Sequence, residues 1–206
     1  MILHWNDLVT YYGPDIEHHK SKLMSNKPTT YALFCCSPIP GEGTMMKSAD
    51  GEHAEERLVL SEVWREQVPR VMELAGGDKP IIFTLAINRA PCGHCARVLA
   101  EKLKELQFNF AVRFENTHFL LASRGNYHSI TKFDKARAAV REAGGRGRVH
   151  DTNGRYPEEV LKTISTGYGL DQLSKTGWKL CVLQFETQLP PSGEELLEYL
   201  RNQRAF

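Results

Sequence analysis

Residues 79–87, KPIIFTLAI, constrain the fold of this chain more than any other stretch. From Ile81 to Ile87 only Thr84 is polar, so there is no alternation of apolar and polar positions to give a strand one wet face. A strand of that kind is stable only when both of its faces are covered, which calls for a sheet layered with helices.

The neighbouring segments supply those layers. TTYALFCC (29–36) is apolar and β-branched, stops at the turn-rich SPIPGEG and reads as a strand, with a hairpin partner in GTMMKS (43–48). HAEERLVLSEVWREQVPRVMEL (53–74) places Leu58, Leu60, Val63, Trp64, Val68 and Val71 on one helical stripe that stops before Gly76-Gly77. In APCGHCARVLAEKLKEL (90–106), Val98, Leu99, Leu103 and Leu106 recur at helical spacing behind Pro91, a residue suited to a first helical turn. FNFAVRF (108–114) reads as the fourth strand and WKLCVLQF (178–185) as the fifth.

The connection from 115 to 177 is too long for a hairpin and contains helical candidates at 131–142, 157–164 and 169–176. The last two strands are therefore expected to be parallel and joined by a crossover, with GEELLEYLRNQ (193–203) as a closing helix. The expected class is α/β, a five-stranded mixed sheet layered with helices.

Composition narrows the function classes only slightly. The 206 residues, 41% apolar and 25% charged, suffice for one core, and a net charge of +1 gives no overall bias toward nucleic acid or membrane. No window approaches the roughly 18 apolar residues of a spanning helix, so no membrane partner is expected. The start MILHWNDLVTYYG is not a basic segment followed by a long apolar run, which points to a cytoplasmic or nuclear protein; a signal peptide already removed leaves the same sequence. Five cysteines, two of them adjacent, do not form a disulfide framework, and reduced thiols are expected.

Cys92 and Cys95 stand three apart at the mouth of a helix. Such a pair serves as a redox couple, as half of a zinc site, or not at all. His53 and Glu55 begin the preceding helix, and a redox couple has no use for them. His53, Cys92 and Cys95 together make one imidazole and two thiolates, a three-ligand set of the kind that leaves a fourth position on zinc open to water. Residues i and i+3 on a first turn face one side, and a helix start favours their ionised form. Glu55 as a fourth ligand would close the site, and beside the metal it is a proton carrier. His94 points to another face of the helix, Cys35, Cys36 and Cys181 read as small core residues, and Trp64 and Trp178 as core.

HAEE (53–56) followed by APCGHC (90–95) is similar to the His-x-Glu and Pro-Cys-x-x-Cys signature of the zinc-dependent base deaminases. KPTTYALFCC, HAEERLVL, FTLAINRAPCGHCARVLAEKL, FNFAVRF and GLDQLSKTGWKLCVLQF resemble, in sequence and order, the AID/APOBEC branch of the cytidine deaminase superfamily. That resemblance implies one deaminase domain over 1–206, with an insertion of roughly 116–168 between the fourth and fifth strands. It implies a hydrolase that converts cytosine to uracil in single-stranded DNA or RNA, with Zn2+ on His53, Cys92 and Cys95 and Glu55 as the catalytic acid and base. Two alternatives stay open: a deaminase of free cytidine nucleosides or nucleotides, and a silent nucleic-acid-binding relative, against which the presence of Glu55 counts.

The family usually has Ser-Trp-Ser before the Pro-Cys pair, where this chain has Asn88-Arg89-Ala90. The backbone near Ala54 and the turn from Asn88 through Arg89 and Ala90 are candidates for reading the base edge, and any aromatic wall has to come from elsewhere. His118, Phe119, Tyr127 and His128 offer flat faces for stacking. Segment 123–149 carries Arg124, Lys132, Lys135, Arg137, Arg141, Arg146 and Arg148 against Asp134 and Glu142 only. Such a concentration suits a groove that tracks a phosphate backbone, with Arg124, Arg137, Arg141, Arg146 and Arg148 as contacts, although a solvated amphipathic helix would look the same.

Overall fold

The computed structural model describes residues 2–25, 28–37, 43–74, 80–110, 116–124 and 169–185. The helices expected at 131–142, 157–164 and 193–203 lie outside the described residues, as do Tyr127, His128, Arg137, Arg141, Arg146 and Arg148.

The chain is α/β, with helices on both faces of a mixed six-stranded sheet. Its strands are β1 (Ile2–His4), β2 (Tyr31–Ser37), β3 (Thr44–Lys47), β4 (Ile81–Ile87), β5 (Thr117–Ser123) and β6 (Trp178–Gln184), in the spatial order β1-β6-β5-β4-β2-β3. β4, β5, β6 and β1 are mutually parallel, and β2 runs antiparallel to both β4 and β3. The last two strands are thus parallel, as expected.

All seven residues of β4 are buried, which answers its unbroken apolar sequence. On one face Phe83, Leu85 and Ile87 join Leu58 of α3 (Ala54–Leu60), Val68 and Met72 of α4 (Val68–Leu74) and Leu99 and Leu103 of α5 (Gly93–Asn109). An aromatic row crosses this layer: Phe34 stacks on Phe83 at 5.9 Å, Phe83 on Phe119 at 4.8 Å, and Phe119 meets Trp178 edge-on at 5.4 Å.

The other face of β4, with Ile82 and Ala86, is covered by the N-terminal residues. Residues 1–28 carry no assigned element in the sequence. In the structure the described residues among them form β1, α1 (Trp5–Tyr12), a 3-10 turn (Pro14–His19) and α2 (Lys20–Met24), which bury Leu3, Trp5, Leu8, Tyr12, Ile16 and Leu23. Thr84, the polar residue of β4, is matched from this layer: its hydroxyl lies 2.6 Å from that of Tyr12, which also donates to the Ile82 carbonyl at 3.1 Å. β1 makes the sheet six-stranded rather than five. With three residues it is too short for alternation to reveal it.

The fourth strand is displaced from its expected place at 108–114. α5 continues through Asn109, with Phe108 89% exposed and Phe110 as its C-cap, because the stripe of Leu99, Leu103 and Leu106 keeps the helix bound to the sheet for its whole length. The strand is instead THFLLAS at 117–123, inside the span assigned to an insertion. The helix expected across 53–74 is also broken. Ser61 takes an extended conformation after α3, its hydroxyl donates to the Leu58 carbonyl at 2.5 Å, and the chain resumes through a π turn (Val63–Gln67) into α4. The break changes the phase of the stripe, so Leu60 faces solvent at 54% exposure while Trp64, Val68 and Val71 remain in the core.

Candidate metal centre

β3 and β4 both run antiparallel to β2, so they end at the same edge of the sheet. Each is followed by a helix that starts at that edge, β3 by α3 and β4 by α5. His53 is the N-cap of α3 and Cys92 the N-cap of α5, both with extended backbone, and their carbonyls accept the first helical hydrogen bonds from Arg57 (3.0 Å) and Ala96 (2.9 Å). Pro91 therefore precedes the cap instead of opening the first turn. Ala49 and Glu52 pair across a two-residue turn in which Asp50 and Gly51 both have positive φ, 55° and 83°, which directs the chain into His53. The Asp-Gly dipeptide is a strong hairpin signal that the sequence reading passed over.

His53 Nδ1 lies 3.5 Å from Cys92 Sγ and 3.1 Å from Cys95 Sγ, and the three donor atoms lie within 4.8 Å of one another. Tetrahedral zinc with bonds of about 2.0 Å to nitrogen and 2.3 Å to sulfur separates such a pair by about 3.6 Å, so the spacing suits one ion between them. The donor chemistry agrees. The Cys92 thiol is lowered to about 5, first by its hydrogen bond with Cys95, then by backbone N–H groups of the first turn and by His53. Cys95 is pushed the other way, by the same hydrogen bond first and by its burial and Glu55 next.

Glu55, two residues after His53, is 2% exposed, and its Oε2 has no hydrogen-bond partner. Burial is the main reason its carboxyl is raised above the usual range, with the charge of Cys92 adding to it and its own backbone N–H opposing. A buried acid of this kind, two residues from His53, is suited to carry a proton. No further His, Cys, Asp or Glu joins the three ligands among the described residues. On the rim, exposed His94 approaches Glu56 at 3.4 Å and Arg97 at 3.2 Å, so it faces away from the ligands, and Glu56 has a partner rather than water alone.

The other candidates separate. Ala54 is fully buried beneath the start of α3. Asn88 is 5% exposed and its amide is taken by the start of β2 and residues before it: Oδ1 accepts from Tyr31 N–H at 2.9 Å, and Nδ2 donates to the carbonyls of Thr29 (3.1 Å) and Ser25 (3.4 Å). Arg124 donates to the Met24 carbonyl at 2.6 Å, so Asn88 and Arg124 hold Met24, Ser25, Thr29 and Tyr31 against the ends of β4 and β5. Arg89 is exposed and Ala90 half-buried, both between β4 and α5.

Phe119 and His118 do not provide stacking faces at the centre. Phe119 is 1% exposed inside the aromatic row. His118 alternates with Leu120 and Ala122, which face the N-terminal layer, and it lies five residues, about 16 Å, from the Ser123 end of β5 that shares an edge with the ligands. The five cysteines are free thiols; Cys35 and Cys181 are buried in the core as expected, and Cys36 is half-buried. No helix among the described residues is long and apolar enough to cross a membrane.

No protein-family model matches the chain, and no curated protein matches it.

Proposed function

We propose that this chain is a zinc-dependent hydrolytic deaminase that converts cytosine to uracil in single-stranded nucleic acid, a member of the AID/APOBEC-like branch of the cytidine deaminases. The observation that carries this reading is the conjunction at one sheet edge of His53 Nδ1, Cys92 Sγ and Cys95 Sγ, within 4.8 Å, with the buried carboxyl of Glu55, whose Oε2 has no hydrogen-bond partner. A structural zinc site closes with four protein ligands and needs no acid beside it, whereas three ligands and a neighbouring carboxyl match hydrolytic chemistry.

Zinc, when bound, supplies Lewis acidity that lowers the pKa of a water to about 7. Glu55 then does the proton work. Its carboxylate takes one proton from the attacking water and delivers it to the ring nitrogen, then takes the second from the hydroxyl now on C4 and delivers it to the departing amine as the C4–N bond breaks, so that cytosine and water become uracil and ammonia. Burial favours the protonated form of Glu55 between these transfers. Substrate class rests on the resemblance and on the basic residues after β5, of which Arg124 stands at the edge shared with the ligands.

The test is to incubate purified, zinc-loaded protein with a cytosine-bearing single-stranded DNA, with the matching RNA and with free cytidine, and to measure uracil or uridine formed. Turnover of a polynucleotide is expected. Turnover of cytidine alone moves the reading to a nucleoside deaminase, and no turnover of any of the three by metal-loaded protein overturns it.

A further inference from the structure

The helical segment 169–175 lies along α5 in an unusually close approach. A Cβ built on Gly169 would come within 2.6 Å of Ala96 Cβ and 3.1 Å of Gly93 Cα, distances that real side chains do not tolerate without movement. Both partners belong to the first turn of α5: Gly93 follows the ligand Cys92, and Ala96 follows the ligand Cys95. Gly169 is itself buried and has no positive φ, so the close contact, not backbone conformation, accounts for glycine at this position.

The remainder of the segment is fastened to α5 further along. Leu170 and Leu173 enter the core beside Leu99 and Leu103, Gln107 Nε2 donates to the Thr176 carbonyl at 2.7 Å, and Trp178 Nε1 donates to the Leu99 carbonyl at 3.3 Å. With its far end fixed, the segment cannot yield freely to an added methyl at position 169. The strain falls on the turn that carries Cys92 and Cys95.

We propose that Gly169 is a positioning residue of the metal centre: its missing Cβ lets the segment 169–175 seat the first turn of α5, which fixes the two thiolates at their distance from His53. The inference rests on the reading of His53, Cys92 and Cys95 as a metal site and is independent of the substrate.

The experiment compares wild type, Gly169→Ala, Ala96→Gly, the Gly169→Ala/Ala96→Gly double variant and Gly177→Ala. Each is measured for zinc affinity by competition with a chromophoric chelator, for the thiolate-to-metal absorption of the cobalt(II) form, and for thermal stability. Gly177, with φ 105°, lies at the other end of the segment near Gln107 and Leu103, so alanine there strains the backbone without touching the ligand turn. In Gly169→Ala zinc affinity should fall by about tenfold or more, the range found when supports of metal ligands are disturbed, with an altered cobalt spectrum. Gly177→Ala should lose stability yet keep zinc affinity within about twofold, and the double variant should recover most of the loss because the 2.6 Å contact is gone.

Equal zinc affinity in wild type and Gly169→Ala overturns the proposal, and so does an equal loss in Gly177→Ala, which would trace the effect to general destabilisation. Should Gly169→Ala not fold, the double variant is compared with Ala96→Gly, since the 3.1 Å approach to Gly93 Cα persists there; weaker zinc binding in the double variant supports the proposal and equal binding overturns it. Wild-type protein that binds neither zinc nor cobalt removes the metal site itself, a separate outcome.

Discussion

Replacing Glu55 by glutamine separates proton transfer from everything else this residue does. The side chain is 2% exposed and Oε2 has no partner, so the wild-type fold already carries one unpaired buried oxygen, a cost of about 1–3 kcal/mol. Glutamine occupies the same volume and leaves a comparable unpaired atom, so folding stability should change by less than about 1 kcal/mol. For a chain of this size that is a shift of about 2–4 °C in Tm. Zinc content should be unchanged, because Glu55 is not among the three donors. Deamination should fall by about a hundred- to ten-thousand-fold, the usual contribution of one positioned acid or base and about 3–5 kcal/mol of barrier. Zinc content, calorimetric Tm and uracil release are measured on one preparation. Loss of zinc would make Glu55 a ligand, and activity above a tenth of wild type with full zinc would refute its role as proton carrier.

Two further outcomes follow from the packing and from the thiols. Phe119→Ala removes the ring between Phe83 and Trp178 and should cost about 3–5 kcal/mol in denaturant unfolding; a cost under about 1 kcal/mol would mean that Phe119 is not in the core. In metal-free protein at neutral pH, alkylation mapped by mass spectrometry should find Cys92 first, since its thiol is lowered to about 5, while Cys35, Cys36 and Cys181, each pushed up to about 12 mainly by burial, stay unmodified until unfolding. Zinc should protect Cys92, and modification of Cys36 or Cys181 ahead of it would contradict the assignment.

The parts of this molecule legible in the sequence are those specified by local chemistry. β4 could be read because seven consecutive buried residues leave no other solution, and the His53, Cys92 and Cys95 group because its members sit beside two helix starts within short segments. The misread parts depend on contacts distant in sequence. Phe108 and Phe110 suggest a strand by alternation, but α5 is held through Asn109 by Leu103 and Leu106 against residues of other elements. In β5 the apolar run is only Phe119 to Ala122, too short to tell a strand from a helix, and its identity comes from pairing with β4 on one side and β6 on the other. Leu60 was misplaced because one serine, Ser61, breaks a helix that periodicity treats as continuous. Asn88 could be seen as a polar residue in the right turn, but that its amide holds Ser25, Thr29 and Tyr31 is a fact of register.

The location of the centre follows from strand direction more than from any one residue. β3, β4, β5 and β6 all run toward the same edge, so the helices after β3 and β4 begin there and the chain leaves β5 there through Arg124. Helix starts favour thiolate and other anionic groups: at the N-cap of α5, Cys92 Sγ accepts from the Cys95 N–H at 3.4 Å, while His53 holds the N-cap position of α3 without a side-chain cap bond. The paired strands keep the two starts together without help from the metal, since β4 is bonded along its length to β2 and β2 to β3. Three donors can therefore be preorganised by the sheet, and the buried Glu55 follows one of them by two residues. The deaminase proposed above needs this separation of duties: a scaffold rigid enough to hold an incomplete coordination shell, and a carboxyl whose burial raises its proton affinity.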